Sequence, residues 1–146
     1  MILQKILPVM YWTLAFGGTA FAFARGGKDE RAGAIVLLVA SIASALAVWT
    51  IPEVRRLVPI QTTIFLIDVA VLLWFLWLAL RSERFWPLWA AAFSLIVVAT
   101  HLAYFLTPVI EPRAYLLALG FWAYPKWIAI LIGTLAGAPT RTLWRR

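Results

Sequence analysis

The hydrophobic positions of this chain fall into five long stretches separated by short polar breaks. A helix needs roughly 20 mostly apolar residues to cross about 30 Å of hydrocarbon, and each stretch approaches or meets that length. The breaks are so short that each helix must run antiparallel to the one before it. The pattern therefore predicts a single domain over residues 1–146, an all-α polytopic transmembrane helix bundle with short loops. Its five predicted spans are residues 6–24, 32–51, 60–80, 86–107 and 115–138.

Two of these stretches have an alternative interpretation to a single transmembrane helix. The first resembles a secretory signal because Ala22-Phe-Ala24 has the small-x-small form of a cleavage site, which would leave four spans. Its length and its aromatic residues favour a span instead. The last stretch carries Pro125 and Lys126 near its middle. We predict one helix kinked at Pro125, with two half-helices or a re-entrant hairpin as the alternatives.

Composition supports a membrane protein and argues against several other classes. Of 146 residues, 64% are apolar and 13% are charged, whereas soluble domains have roughly 45–50% apolar and about 25% charged residues. The net charge is +7, but the basic residues lie in breaks between apolar stretches. They do not form the continuous basic surface that phosphate binding needs, so no nucleic-acid partner is predicted. The absence of cysteine excludes disulfides, thiolate metal ligands and thiol nucleophiles.

The basic residues also predict the orientation of the bundle, because Lys and Arg are commoner in cytoplasmic loops. Five spans place four basic residues on one side and eight on the other, so the N-terminus is expected outside and the C-terminus in the cytoplasm. Tyr115 is expected at the outer interface and Trp86 at the inner one, where such rings prefer to lie. The four are Lys5, Arg55, Arg56 and Arg113, and the eight are Arg25, Lys28, Arg31, Arg81, Arg84, Arg141, Arg145 and Arg146.

Three ionisable residues, Asp68, His101 and Lys126, lie inside the predicted spans. Each costs about 2.5–3.5 kcal/mol on insertion scales, so each requires a partner or a function. A rise of 1.5 Å per residue places them roughly 12, 9 and 16 Å from the outer ends of their helices, at similar depths. One interpretation of the set is an Asp68–Lys126 ion pair that fixes helix register. The other is a path for protons or ions, or a clasp for a polar ligand group.

Further polar and aromatic residues are candidates to line a pocket. Ser94 shares a helix face with His101, and Tyr104 lies close by. Trp122 and Tyr124, on the last span, are candidates to hold an apolar ligand such as a lipid, quinone or pigment. Catalytic and phosphate-binding motifs are missing, and one His without Cys gives no multi-histidine metal or haem site within one chain. A site shared between copies in an oligomer is left open. No catalytic residue, metal or cofactor is therefore predicted, and a bound lipid or other apolar ligand is left open.

Small residues recur every four positions on two spans. Ala129, Gly133 and Gly137 lie on the last span, and Gly18 and Ala22 lie on the first. Such rows let membrane helices approach one another closely. They are expected to pack inside the monomer or, alternatively, against another subunit.

The stretch Arg81-Ser-Glu-Arg-Phe-Trp-Pro-Leu-Trp-Ala-Ala-Ala-Phe93, followed by Thr100-His-Leu-Ala103, resembles segments of small polytopic membrane proteins of alphaproteobacteria. Asp68 lies where that pattern has an acidic residue. The resemblance covers about the middle third of the chain. It implies a bacterial inner-membrane protein and carries over no catalytic residues.

These observations favour a non-enzymatic accessory or assembly subunit that acts through its transmembrane faces. Membrane lipids are its expected surroundings, and its expected partners are further copies of itself or a larger membrane complex. The first alternative is a small oligomeric channel or transporter that uses Asp68, His101 and Lys126. The second is a binder of an apolar ligand, and a membrane enzyme with an Asp68–His101 acid/base pair has the least support.

Overall fold

In the computed structural model, which describes residues 2–50, 57–107, 109 and 112–137, the chain forms five α-helices. Each helix contains a stretch of 20–23 residues that is apolar enough to cross a membrane. The chain is therefore a multi-pass integral membrane protein, and the predicted all-α architecture with five spans is confirmed over the described residues. The helices are α1 (Ile2–Arg25), α2 (Lys28–Thr50), α3 (Leu57–Arg81), α4 (Trp86–Leu106) and α5 (Pro112–Ala136).

The helices differ from the predicted spans mainly at their ends. α5 is continuous through Pro125, so one helix rather than a hairpin is correct. α2 begins at Lys28, which brings Asp29 and Glu30 into its first turn. Carboxylates there are favoured because the N-terminal end of a helix carries a partial positive charge. Parts of the prediction lie outside the described residues, namely positions 51 and 138 and the side chains of Lys5, Arg55, Arg56, Arg113, Arg141, Arg145 and Arg146.

The helices enclose a core built around α5, which packs against α1, α2 and α4, while α3 packs against α2 and α4. Phe75, Trp127 and Ile130 are completely buried in this core. Large apolar side chains also point outwards, as Leu66 does with 59% of its surface exposed. Lipid tails are as apolar as leucine, so the bundle depends on close packing and internal polar contacts rather than on hydrophobic burial.

Glycines on α1, α2 and α5 make room for tryptophan rings. A Cβ added to Gly18 would lie 3.1 Å from Cε3 of Trp127. A Cβ added to Gly33 would lie 2.7 Å from Cη2 of Trp86, and one added to Gly133 would overlap the same indole. The close approach at these positions is therefore between a helix backbone and an aromatic side chain of the same chain.

The remaining residues of the predicted small-residue rows also face the interior. Ala22 is completely buried and Ala129 is buried in the same core. A Cβ added to Gly137 would overlap the guanidinium of Arg84. In the structure, both rows thus serve contacts within the chain.

Candidate functional site

Asp68 on α3 contacts a basic side chain from each of the next two helices. Its Oδ2 lies 3.1 Å from Nε2 of His101 on α4, and its Oδ1 lies 3.7 Å from Nζ of Lys126 on α5. The His101 side chain is completely buried, and the Lys126 and Asp68 side chains are 8% and 17% exposed. The structure thus brings the three ionisable residues named from the sequence together around one carboxylate.

Tyr115 of α5 is a fourth member of this group, and it was not predicted from the sequence. Its hydroxyl lies 2.7 Å from Nδ1 of His101, and its ring stacks on Tyr104 with the centroids 4.1 Å apart. Only 4% of the surface of Tyr115 is exposed, so its ring packs inside the bundle. The missed signal is its spacing from Lys126, about three helical turns, which places both residues on one face of α5. Asp68, His101, Tyr115 and Lys126 are called the Asp68 cluster.

The two ring nitrogens of His101 have different partners in the Asp68 cluster. A neutral His101 that carries its proton on Nε2 donates to the Asp68 carboxylate, and its Nδ1 then accepts from the Tyr115 hydroxyl. Lys126 supplies the charge opposite to that of the ionised carboxylate. These contacts join α3, α4 and α5 inside the membrane. The same groups are chemically able to exchange protons, since the ionisation states of such close neighbours are coupled.

A second polar group, missed from the sequence, centres on Glu30 near the start of α2. Its side chain is completely buried. Oε1 accepts a hydrogen bond of 2.8 Å from Nε1 of Trp86 and lies 3.0 Å from Nη1 of Arg84, while Oε2 accepts 2.8 Å from the backbone N–H of Gly27. Nη1 of Arg84 also lies 3.4 Å from the carbonyl oxygen of Gly133 on α5. Gly27, Glu30, Arg84 and Trp86 are called the Glu30 cluster.

The burial of Glu30 and Trp86 was not predicted from the sequence. Glu30 lies in the polar break between the first two predicted spans, and the structure buries it in the first turn of α2. Trp86 was predicted at the inner interface, and only 5% of its surface is exposed because it packs inside the bundle. The local signal for Glu30 is its position three residues after Gly27, from which a Glu side chain reaches back to the backbone N–H that precedes a helix.

The Glu30 cluster lies where the α1–α2 turn, the α3–α4 turn and the C-terminal end of α5 meet, which is called the Arg84 end of the bundle. A further bond strengthens the junction, since Ser82 donates to Oδ2 of Asp29 at 2.7 Å. Two separated polar groups therefore hold the bundle, one at its Arg84 end and one deeper along α3, α4 and α5.

The four predicted pocket residues lie in different parts of the bundle. Ser94 is buried and donates to a carbonyl oxygen of its own helix. Tyr104 lies beside the Asp68 cluster, whereas Trp122 stacks on a phenylalanine of α4. Tyr124 donates to a carbonyl oxygen of α1. The structure does not gather them around one cavity.

Apolar grooves instead open on the outer surface along α5. The α4–α5 groove has a volume of about 860 Å³ and begins beside Arg84. The α1–α5 groove has a volume of about 570 Å³ and includes Tyr124. The first is defined by Arg84, Trp89, Phe93, Ile128, Ile132 and Ala136, and the second by Leu7, Tyr11, Leu117, Gly120, Phe121 and Tyr124.

The remaining polar side chains of the described residues form no metal site and leave no buried nitrogen or oxygen atom without a hydrogen-bond partner. Among those residues, no group of three or more His, Cys, Asp or Glu side chains is placed to hold a metal ion. Each of their buried side-chain nitrogen and oxygen atoms has a hydrogen-bond partner. The buried polar side chains of the described residues are thus engaged in hydrogen bonds and ion pairs within the chain.

Comparisons with known protein families, with curated proteins and with solved structures give no match. The resemblance of residues 81–103 to alphaproteobacterial membrane proteins therefore stays a prediction. Function is inferred from the two polar clusters and from the grooves.

Proposed function

We propose that this chain is a non-enzymatic accessory or assembly subunit of a bacterial inner membrane that binds another membrane protein through its transmembrane faces. The observation that carries the proposal is that each described buried side-chain nitrogen or oxygen has a hydrogen-bond partner. The buried polar atoms of the Asp68 and Glu30 clusters thus have partners within the chain, and the two clusters hold the helices in register. Recognition then takes place on the apolar outer surface.

The α1–α5 groove supports this proposal because a partner helix can approach it closely. Gly120 lies in the groove, and a Cβ added there would have nothing within 4 Å. Leu117 and Phe121 beside it are 65% and 62% exposed. Membrane helices associate where small residues let backbones approach and larger side chains pack around the contact. The occupant we propose is a transmembrane helix, from a second copy of this chain or from a larger complex.

Substitution of Gly120 tests this docking site. Gly120→Leu fills the groove, and Gly17→Leu is the matched control because Gly17 also has open space around it but lies outside the groove. We expect native mass spectrometry in mild detergent to show the wild type and Gly17→Leu in an oligomer or bound to a membrane protein. Gly120→Leu should be a monomer. A wild-type monomer with no bound protein, or equal behaviour of the two variants, contradicts the proposal.

The proposed orientation has the N-terminus outside and the Arg84 end in the cytoplasm. Its support is the set of basic residues that the α1–α2 and α3–α4 turns bring to this end, because Lys and Arg are enriched on the cytoplasmic side. These residues are Arg25, Lys28, Arg31, Arg81 and Arg84.

The second candidate function is a small proton- or ion-conducting transporter. The observation in its favour is the direct contact of Asp68 with both His101 and Lys126, since coupled ionisable groups inside a membrane are typical of proton relays. The test is proton flux into liposomes that contain the purified chain. A flux that falls in Asp68→Asn and His101→Ala would favour the transporter, and a flux equal to that of empty liposomes would exclude it.

A further inference from the structure

The α4–α5 groove has the length of one membrane leaflet. On α5 it runs from Pro125 to Gly137, which at 1.5 Å per residue is about 18 Å. Half of a hydrocarbon core of about 30 Å is about 15 Å. An acyl chain from a single leaflet therefore matches the length of this groove.

The lining of this groove suits a hydrocarbon chain. Trp89 of α4 and Ile132 of α5 face outwards with 53% and 59% of their surfaces exposed, and both line the groove. Ala129 and Gly133 line the groove between these walls. An acyl chain laid here contacts aromatic and branched apolar side chains along its length.

A guanidinium lies at one end of the groove. Arg84 lines it with 37% of its side chain exposed, while its Nη1 contacts Glu30. A guanidinium has five N–H donors on three nitrogens, so it is able to bind a carboxylate and a phosphate together. Among the described residues, the Arg84 end carries five basic and three acidic side chains. These are Arg25, Lys28, Arg31, Arg81 and Arg84, and Asp29, Glu30 and Glu83.

We propose that the α4–α5 groove binds an anionic phospholipid, with its phosphate at Arg84 and one acyl chain between α4 and α5. Basic sites between transmembrane helices on the cytoplasmic side are a recognised way to hold acidic headgroups. The inference deepens the proposed function, on which it rests, because it makes a bound lipid part of the surface through which the subunit acts. It assigns lipid to this groove and a protein helix to the α1–α5 groove.

The test is native mass spectrometry of the full chain in detergent micelles that contain phosphatidylglycerol or phosphatidylcholine. The wild type should retain phosphatidylglycerol over phosphatidylcholine by about fivefold, the preference expected from one basic residue near an acidic headgroup. Ala136→Trp fills the groove and should abolish retention. Ala24→Trp is its control, since Ala24 is also an exposed alanine near the Arg84 end but lies outside the groove.

Arg84→Gln removes the charge and should abolish the preference between the two lipids. If that variant does not fold, Ala136→Trp still decides the question because it leaves Arg84 in place. Equal retention of both lipids by the wild type, or a retention in Ala136→Trp equal to that in Ala24→Trp, overturns the proposal. A dimer that Ala136→Trp disrupts would show that a second copy occupies the groove, which overturns it too.

The same spectra separate this proposal from the subunit function. An oligomer without lipid preference contradicts the lipid site alone. A monomer that retains phosphatidylglycerol contradicts the subunit function alone.

Discussion

Glu30 and Trp86, which are 56 residues apart in the chain, are joined by a 2.8 Å hydrogen bond from the indole N–H to the carboxylate. The indole also lies against Gly33 of α2 and Gly133 of α5. One side chain at the start of α4 therefore connects three helices, and a buried carboxylate fixes its position. This bond and the packing around it determine how the Arg84 end is assembled.

Removal of the Glu30 carboxylate should weaken the whole bundle. In Glu30→Ala the N–H of Trp86 and the guanidinium of Arg84 lose their shared partner. We expect the free energy of unfolding to fall by about 2–3 kcal/mol, the cost of buried polar groups left unpaired, with the half-exposed Arg84 adding little. Unfolding in a denaturing detergent gradient measures this change.

Glu83→Ala provides the control, because Glu83 is an exposed carboxylate in the neighbouring α3–α4 turn. Its effect should stay within about 0.5 kcal/mol. Equal stability of the two variants would mean that the Glu30 contacts do not stabilise the fold.

Two glycines of α5 should respond in opposite ways to alanine. In Gly133→Ala the new Cβ overlaps the Trp86 indole, so we expect a loss of about 1–3 kcal/mol from the unfolding free energy. Gly120 has open space around it. Gly120→Ala should therefore raise the unfolding free energy by up to about 1 kcal/mol, because alanine has a higher helix propensity than glycine. The same unfolding measurement applies to both. A Gly133→Ala protein as stable as Gly120→Ala would contradict the packing of Trp86 on α5.

The spans and the Asp68 contacts were predictable because they depend on the lengths of apolar stretches and on the positions of charges within them, both of which can be read from the sequence. A length of apolar residues is enough to identify a membrane helix. The cost of an intramembrane charge, together with residue counting along antiparallel helices, was enough to place Asp68, His101 and Lys126 at one depth.

The Glu30 cluster was not predictable in the same way. A carboxylate at the start of a helix is normally hydrated, and the burial of Glu30 depends on Arg84 and Trp86, which reach it from a turn far along the chain. The lipid-facing side and the core-facing side of a membrane helix are similarly apolar. The periodicity that reveals the core face of a soluble helix is therefore weak here. The sequence did not reveal the grooves along α5, although it named Tyr124, which lines one of them, as a candidate to hold an apolar ligand.

A double-substitution cycle tests whether Asp68 and Lys126 act as a pair. Asp68→Asn keeps an acceptor for His101 but leaves Lys126 without its counter-ion inside the membrane. We therefore expect the free energy of unfolding to fall by about 3 kcal/mol. Lys126→Met removes the charge that needs compensation, and in the double variant most of that loss should be recovered. Detergent unfolding of all four proteins gives the coupling energy. If the loss of unfolding free energy in the double variant equals the sum of the losses in the two single variants, the 3.7 Å contact between Asp68 and Lys126 contributes nothing to stability.

The orientation of the bundle can be measured by labelling because the chain has no cysteine. Glu83 is exposed in the α3–α4 turn, and Thr107 is exposed at the opposite end of α4. If the Arg84 end faces the cytoplasm, a membrane-impermeant maleimide added to intact spheroplasts should label Thr107→Cys and should leave Glu83→Cys unlabelled until the membrane is broken. The reverse pattern would place the Arg84 end outside. It would also remove the cytoplasmic leaflet as the source of the phospholipid proposed for the α4–α5 groove, since acidic lipids are concentrated on that side.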